Sequence, residues 1–350
     1  MSELNQNYNL TEETLENEPD FVSEASLDAL FSFIETGEQI EKRELKKLGN
    51  WVGICFLALL LFSVLFGVVI GITAQFSSVA YWIYRNLQEP AIANVFQIVF
   101  SLFSFTIPFI ICYKLAGYRI SDFISFQKSE KNKTIPLFFL GIAFCSFANI
   151  GSSVLGNLFS GLGFNYDIPD TPKPEGIFGF LLSVIATAIV PAFVEEFAMR
   201  GLVLGSLRRF GDGFALVASS ICFGIMHGNF VQIPFAVMVG LFLGFTVIKT
   251  NSLRTAVAIH FANNFVAVLM DYFPKSVTTQ AQNVIYTVYL SIALICGIVA
   301  LRFVNDDFLE LEKAETKLSE TKKYKTFFLS GGIIVFVIIN LLEAVSFMFI

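Results

Sequence analysis

Charge is scarce in this chain, and histidine is almost missing. Charged residues make up 15% of 350, and there are two histidines; a soluble domain carries roughly 25% charge. A soluble globular protein is therefore not the expectation. The first 40 residues hold no Lys or Arg, so no secretory signal peptide is expected. The five cysteines, Cys55, Cys112, Cys145, Cys222 and Cys296, all sit in apolar runs, and no two are spaced as CxxC. An odd count without that spacing argues against a disulfide framework or a cysteine metal site and for small packing residues. A net charge of −6 without a basic, aromatic-interleaved stripe gives no sign of nucleic-acid binding. HExxH and GxSxG are absent too, which removes the signatures of a zinc-helix protease and of a nucleophile-elbow serine hydrolase.

What is abundant is apolar sequence: 55% of the residues, with a mean hydropathy of +0.68. A spanning helix needs roughly 20 mostly apolar residues. Candidate spans lie at about 51–73, 92–113, 136–158, 177–206, 214–230, 231–248, 255–272, 283–303 and 326–349. The fold class expected is all-α, a polytopic transmembrane helix bundle with about eight or nine spans. Residues 177–206 are long for one crossing and contain Pro191, so a kink or break is expected there. The small-xxx-small spacings Gly224…Gly228 and Gly240…Gly244 suit close helix approach.

Basic residues set the orientation. Twenty of the 23 fall in alternate loops, around Lys42–Lys47, Lys114–Lys133, Arg200–Arg209, Lys249–Arg254 and Arg302–Lys325. Arg85, Lys173 and Lys275 remain for the opposite side. That division puts the N-terminus in the cytosol, the protein in the cell membrane, and, with nine spans, the C-terminus outside. Residues 1–50 read as an acidic cytosolic tail with a basic juxtamembrane segment, and 51–350 as the membrane domain. In the tail, Leu27, Leu30, Phe31 and Ile34 have the spacing of a short amphipathic helix. The bilayer is the evident partner; nothing in the sequence sets an oligomeric state.

An ionisable residue inside a span is a functional candidate by default, because the bilayer penalises it unless it is paired. The candidates are Glu195, Glu196, Arg200, His227, His260 and Glu343. Glu196 and Arg200, four apart, suit an ion pair, and Glu195 then points about 100° away. Phe223 precedes His227 by four residues, and His260 precedes Asn264 by four, so each pair shares a helix face. Glu195 is 13 residues before Arg208 and His227 is 14 after Gly213, which puts both roughly 20 Å from the turn between them. His260, six residues past Arg254, would lie only about 9 Å deep, a mismatch. Glu343 and Asp271 read as charges near helix ends, and Asn263 as a packing residue.

A carboxylate, two imidazoles and an amide in a protected cavity suit activation of water. Glu195 would take a proton with His227 beside it, and His260 with Asn264 would stabilise an oxyanion. Two histidines and a glutamate are also a zinc set, so Glu195, His227 and His260 form the alternative metal site; no cofactor is otherwise expected.

The motifs EEFAMR (Glu195–Arg200), FGIMH (Phe223–His227) and HFANN (His260–Asn264) match EExxxR, FxxxH and HxxxN. In that order they resemble the CPBP intramembrane proteases, the CAAX-processing and bacteriocin-processing or Abi family, over residues 175–272. The resemblance implies a helical membrane bundle with a polar cavity open to the cytosol, acting on membrane-associated peptides or proteins. It implies Glu195 as catalytic base with His227 on the water, Glu196 paired with Arg200, and His260 and Asn264 as the oxyanion site. A metal-free glutamate mechanism is favoured over a metalloprotease. The competing reading is a non-catalytic scaffold or bacteriocin-immunity protein on the same fold. A transporter fits poorly, because the intramembrane charges cluster in one region.

Overall fold

The computed structural model describes residues 36–164, 175–272, 277–304 and 306–348. The tail segment with Leu27, Leu30, Phe31 and Ile34, and the outer-side markers Lys173 and Lys275, lie outside the described residues. No β-strand occurs among the described residues. The chain forms α1 (Gly37–Thr73), α2 (Ser78–Arg85), α3 (Pro90–Leu115) and α4 (Lys131–Gly161), followed by α5 (Gly176–Phe210) and α6 (Asp212–Ile225). Then come α7 (Gln232–Thr250), α8 (Leu253–Asp271), α9 (Thr279–Leu301), α10 (Glu320–Phe328) and α11 (Gly331–Phe347). A capping box starts α1: Gln39 N–H donates to Thr36 Oγ1 at 3.3 Å, and Thr36 N–H to Gln39 Oε1 at 2.8 Å. From there α1 runs unbroken past residue 50, with Leu45 and Leu48 already buried.

By length and composition, α1, α3, α4, α5, α7, α8 and α9 can each cross a membrane. The α10–α11 pair, bent by 67°, makes an eighth span if taken together. Large apolar side chains such as Val64, Phe147, Ile177 and Leu342 face outward, a surface that suits lipid and not water. The chain is a multi-pass membrane protein built as a helical bundle. The expected span 214–230 is shorter than anticipated. Its helix ends at Ile225, and Gly228 adopts φ +58° in the turn that follows. Fourteen residues reach about 21 Å, less than the ~30 Å hydrocarbon core. With α7, α6 makes a hairpin. The two helices close up through glycine: a Cβ on Gly224 would stand 2.3 Å from Val237, and one on Gly240 3.1 Å from Ser220.

The fourth span differs from expectation in an informative way. α5 continues from Gly176 to Phe210 with no break at Pro191. Instead Val184–Ile189 and Phe197–Leu204 are π-helical, flanking a short α segment, Val190–Glu196. Proline has no N–H to give the carbonyl four residues back, which is that of Thr187. π segments absorb such a defect without ending the helix. α5 is also the enclosed helix: half of its apolar window is buried, against 17% in α1 and α9. Ala192, Ala198, Met199, Leu202 and Val203 join Phe223 of α6, Ala236 of α7 and Ile259 of α8 in one core. The glutamate pair therefore enters the centre of the bundle.

At the basic end, α1, α5, the 310–319 segment and α10 are cross-linked. Arg208 Nε meets Asp212 at 2.7 Å, Arg209 meets Glu44 at 3.4 Å, Lys317 N–H donates to Glu41 at 2.6 Å, and Lys322 pairs with Glu38. The clusters around Lys42, Arg208 and Lys322 thus share one end of the bundle.

Candidate active site

Three helices bring the motif residues together. α5 supplies Glu195, Glu196 and Arg200, α6 and the turn after it supply Phe223 and His227, and α8 supplies His260 and Asn264. Arg200 Nη1 donates to Glu196 Oε1 at 2.8 Å, and both side chains are buried. His260 Nδ1 stands 2.9 Å from that same oxygen. An oxygen already accepting from a guanidinium is not a donor, so Nδ1–H of His260 donates to it. The other nitrogen, Nε2, then faces Glu195, with Oε2 at 3.9 Å. His260 is thereby held between the two adjacent carboxylates. Glu196 is completely enclosed, whereas Glu195 keeps 16% of its side chain accessible; of the two, Glu195 is the one a substrate can reach.

Phe223 is a platform. The Arg200 guanidinium lies 4.2 Å from its ring centroid, a desolvated cation–π contact. Its ring also meets those of His227 and His260 edge-on, at 5.0 and 6.4 Å. His227 Nδ1 is 2.8 Å from the Phe223 carbonyl. A carbonyl only accepts, which fixes the Nδ1–H tautomer of the neutral ring and leaves a lone pair on Nε2. His227 lies within electrostatic reach of both Glu195 and His260. The FxxxH spacing is thus a device: one turn of helix aims the imidazole by its own backbone.

Asn264 Nδ2 donates to the Thr187 carbonyl at 3.1 Å. That carbonyl lies in the first π segment of α5, so the irregular stretch of α5 docks α8. An amide has two N–H donors, and the second is free for another acceptor. The depth mismatch of His260 also resolves. A Cβ on Gly201 would touch Leu253 at 3.6 Å, so α8 begins level with Gly201 and not with Arg208. Six residues separate Glu195 from Gly201 and seven separate Leu253 from His260, about 9 and 10 Å.

Among the described residues no three His, Cys, Asp or Glu side chains converge as a metal site. Each imidazole directs Nδ1 to a protein acceptor and leaves Nε2 open, an orientation that suits a ligating as well as a water-activating role.

Two residues passed over in the sequence belong here. Asn263 Nδ2 donates to Asn264 Oδ1 at 3.1 Å, and Asn149 Nδ2 on α4 donates to Asn263 Oδ1 at 3.0 Å. The signal for Asn149 was available, an amide in the middle of an apolar span. Glu343 is placed differently from a lone end-of-helix charge: its carboxylate packs on Gly228, so that a Cβ there would be 2.9 Å from Oε2. The cysteines are free, and Cys55, Cys112, Cys145 and Cys222 are buried.

No curated protein and no solved structure matches the chain. Residues 177–266 match the family described as type II CAAX prenyl endopeptidase Rce1-like, and all three motifs fall inside that stretch. Over this segment, which holds the whole glutamate–histidine cluster, the chain matches the CAAX protease family that its motifs resemble.

Proposed function

We propose that the protein is an intramembrane endopeptidase that hydrolyses peptide bonds of membrane-associated peptides or proteins by a glutamate mechanism without a metal. The observation that carries this reading is His260 clamped between Glu196, at 2.9 Å, and the accessible Glu195, at 3.9 Å, in a bundle core. Glu195 takes a proton from a water molecule, and the hydroxide attacks the carbonyl carbon of the scissile bond. His227, with its Nε2 lone pair directed by the Phe223 carbonyl, holds the water. The charge that develops on the carbonyl oxygen falls to His260 and the spare N–H of Asn264. In that role His260 carries a proton on both nitrogens, Nδ1–H on Glu196 and Nε2–H toward the substrate. The proton held by Glu195 then passes to the leaving amine, completing hydrolysis. The N-terminus and the basic end face the cytosol.

The test compares peptides in membranes from cells carrying the wild-type protein and Glu195→Gln at equal abundance. Fragments present with the wild type and absent with the variant support the reading. Identical peptide sets would favour the scaffold or immunity reading.

A further inference from the structure

A cavity of about 550 Å³ opens between α4, the start of α7, α8 and α9, at the end opposite the basic loops. Its volume is that of a ligand site, yet it holds none of the glutamate–histidine cluster. Asn149, Asn157, Gln232, Asn263, Tyr286 and Tyr289 line it. Hydrophobic packing needs none of these groups, and they stand among helices whose other faces are apolar. Asn149 donates to Asn263 at 3.0 Å and Asn263 to the amide oxygen of Asn264 at 3.1 Å, so the cavity and the reaction centre share a wall. Among the described residues the side chains of Asn157, Gln232 and Tyr286 make no hydrogen bond to protein, which leaves their polar atoms available. No Lys or Arg lines the cavity, whereas Asp271 does, so it offers no counterion to an anion.

Cleavage inside a bilayer sets a requirement that these groups meet. A helical substrate keeps its carbonyls bonded within the helix, so the scissile carbonyl is exposed only if the segment unwinds. Every unwound N–H and C=O in an apolar medium then costs several kcal/mol unless partnered. Side-chain amides supply donor and acceptor together, as a peptide backbone demands. From Asn149 to Asn157 the wall is eight residues long, about 12 Å, and an extended peptide covers that in three or four residues at about 3.3 Å each.

On the peptidase reading above, we propose that this cavity is a substrate subsite. It binds three or four residues of an unwound peptide segment without acidic side chains on one side of the scissile bond, chiefly through the backbone, with that segment continuing beyond it and not ending in a free carboxylate.

The test uses the full chain in nanodiscs and a library of synthetic membrane-spanning peptides with a randomised centre. Asn157→Leu, Gln232→Leu and Tyr286→Phe lie away from the reacting groups. A net hydrogen bond is worth about 0.5–1.5 kcal/mol, so each should raise KM by roughly two- to tenfold. The increase should be alike across the library, as backbone recognition requires, while kcat stays within about twofold. Unchanged KM in all three would overturn the subsite. So would a lower kcat with lower thermal stability in the absence of peptide, the signature of an internal structural cavity. A second arm places a photocrosslinking residue at Tyr286 in the Glu195→Gln background. Peptide captured there while the wild type cleaves nothing keeps the subsite and removes the peptidase reading. Cleavage by the wild type without capture does the reverse.

Discussion

Replacing Arg200 with methionine isolates the interaction that keeps the carboxylate pair in the core. Glu196 is wholly buried and Arg200 is 3% exposed, so water cannot take the place of the guanidinium. Breaking a buried pair from one side costs about 3–5 kcal/mol. The contact is one-armed: Nη1 reaches Oε1, while Glu196 Oε2 and Arg200 Nη2 find no protein partner among the described residues. That places the ion pair near the lower end, and loss of the cation–π contact with Phe223 adds to it. A loss of about 3 kcal/mol lowers the folded fraction more than a hundredfold relative to the unfolded. Arg200→Met should therefore reduce the detergent-extracted, monodisperse protein and lower its melting temperature. Combining it with Glu196→Gln removes the stranded charge and keeps an acceptor for His260 Nδ1, so the double variant should recover much of the lost stability. Normal abundance and melting of Arg200→Met, or a double variant no better than the single, would refute this reasoning.

Asn264→Ala should lower kcat by about 10²–10³, the loss expected for one oxyanion donor, with near-normal folded yield; a rate unchanged within twofold would remove Asn264 from the site. Exhaustive chelation, with metal content measured in parallel, should leave peptide cleavage intact; loss restored by zinc would instead assign Glu195, His227 and His260 to a metal. Reporters fused before Lys42 and between Lys313 and Lys325 should be cytosolic and one near Lys173 external; an external N-terminus would reverse the orientation drawn from the basic residues.

The span pattern was legible because a bilayer imposes its own length on apolar sequence, so α1, α3 and α9 follow from composition. The candidate cluster was legible because carboxylates and imidazoles are rare in spans: both histidines of the chain fall in this one region. The π segments of α5 were not legible. Pro191 announces a defect, but whether a helix kinks or widens depends on what packs against it, and the Asn264 amide that bonds the Thr187 carbonyl arrives from 77 residues away. Local pattern also misjudged the depth of His260, since the packing of Leu253 on Gly201 sets the level of α8. Asn263 looked idle because its partner Asn149 sits 114 residues earlier, on another helix.

Glu195→Gln tests the central claim most directly. The substitution keeps the size of the side chain and its hydrogen-bonding capacity, and it removes the base. Purified wild type and variant, reconstituted in nanodiscs with matched folded amounts and melting temperatures, are given the same membrane-partitioning peptides, and new termini are counted by mass spectrometry. The glutamate mechanism predicts cleavage by the wild type and none above background by the variant. Wild-type rates from a well-folded Glu195→Gln protein would contradict it.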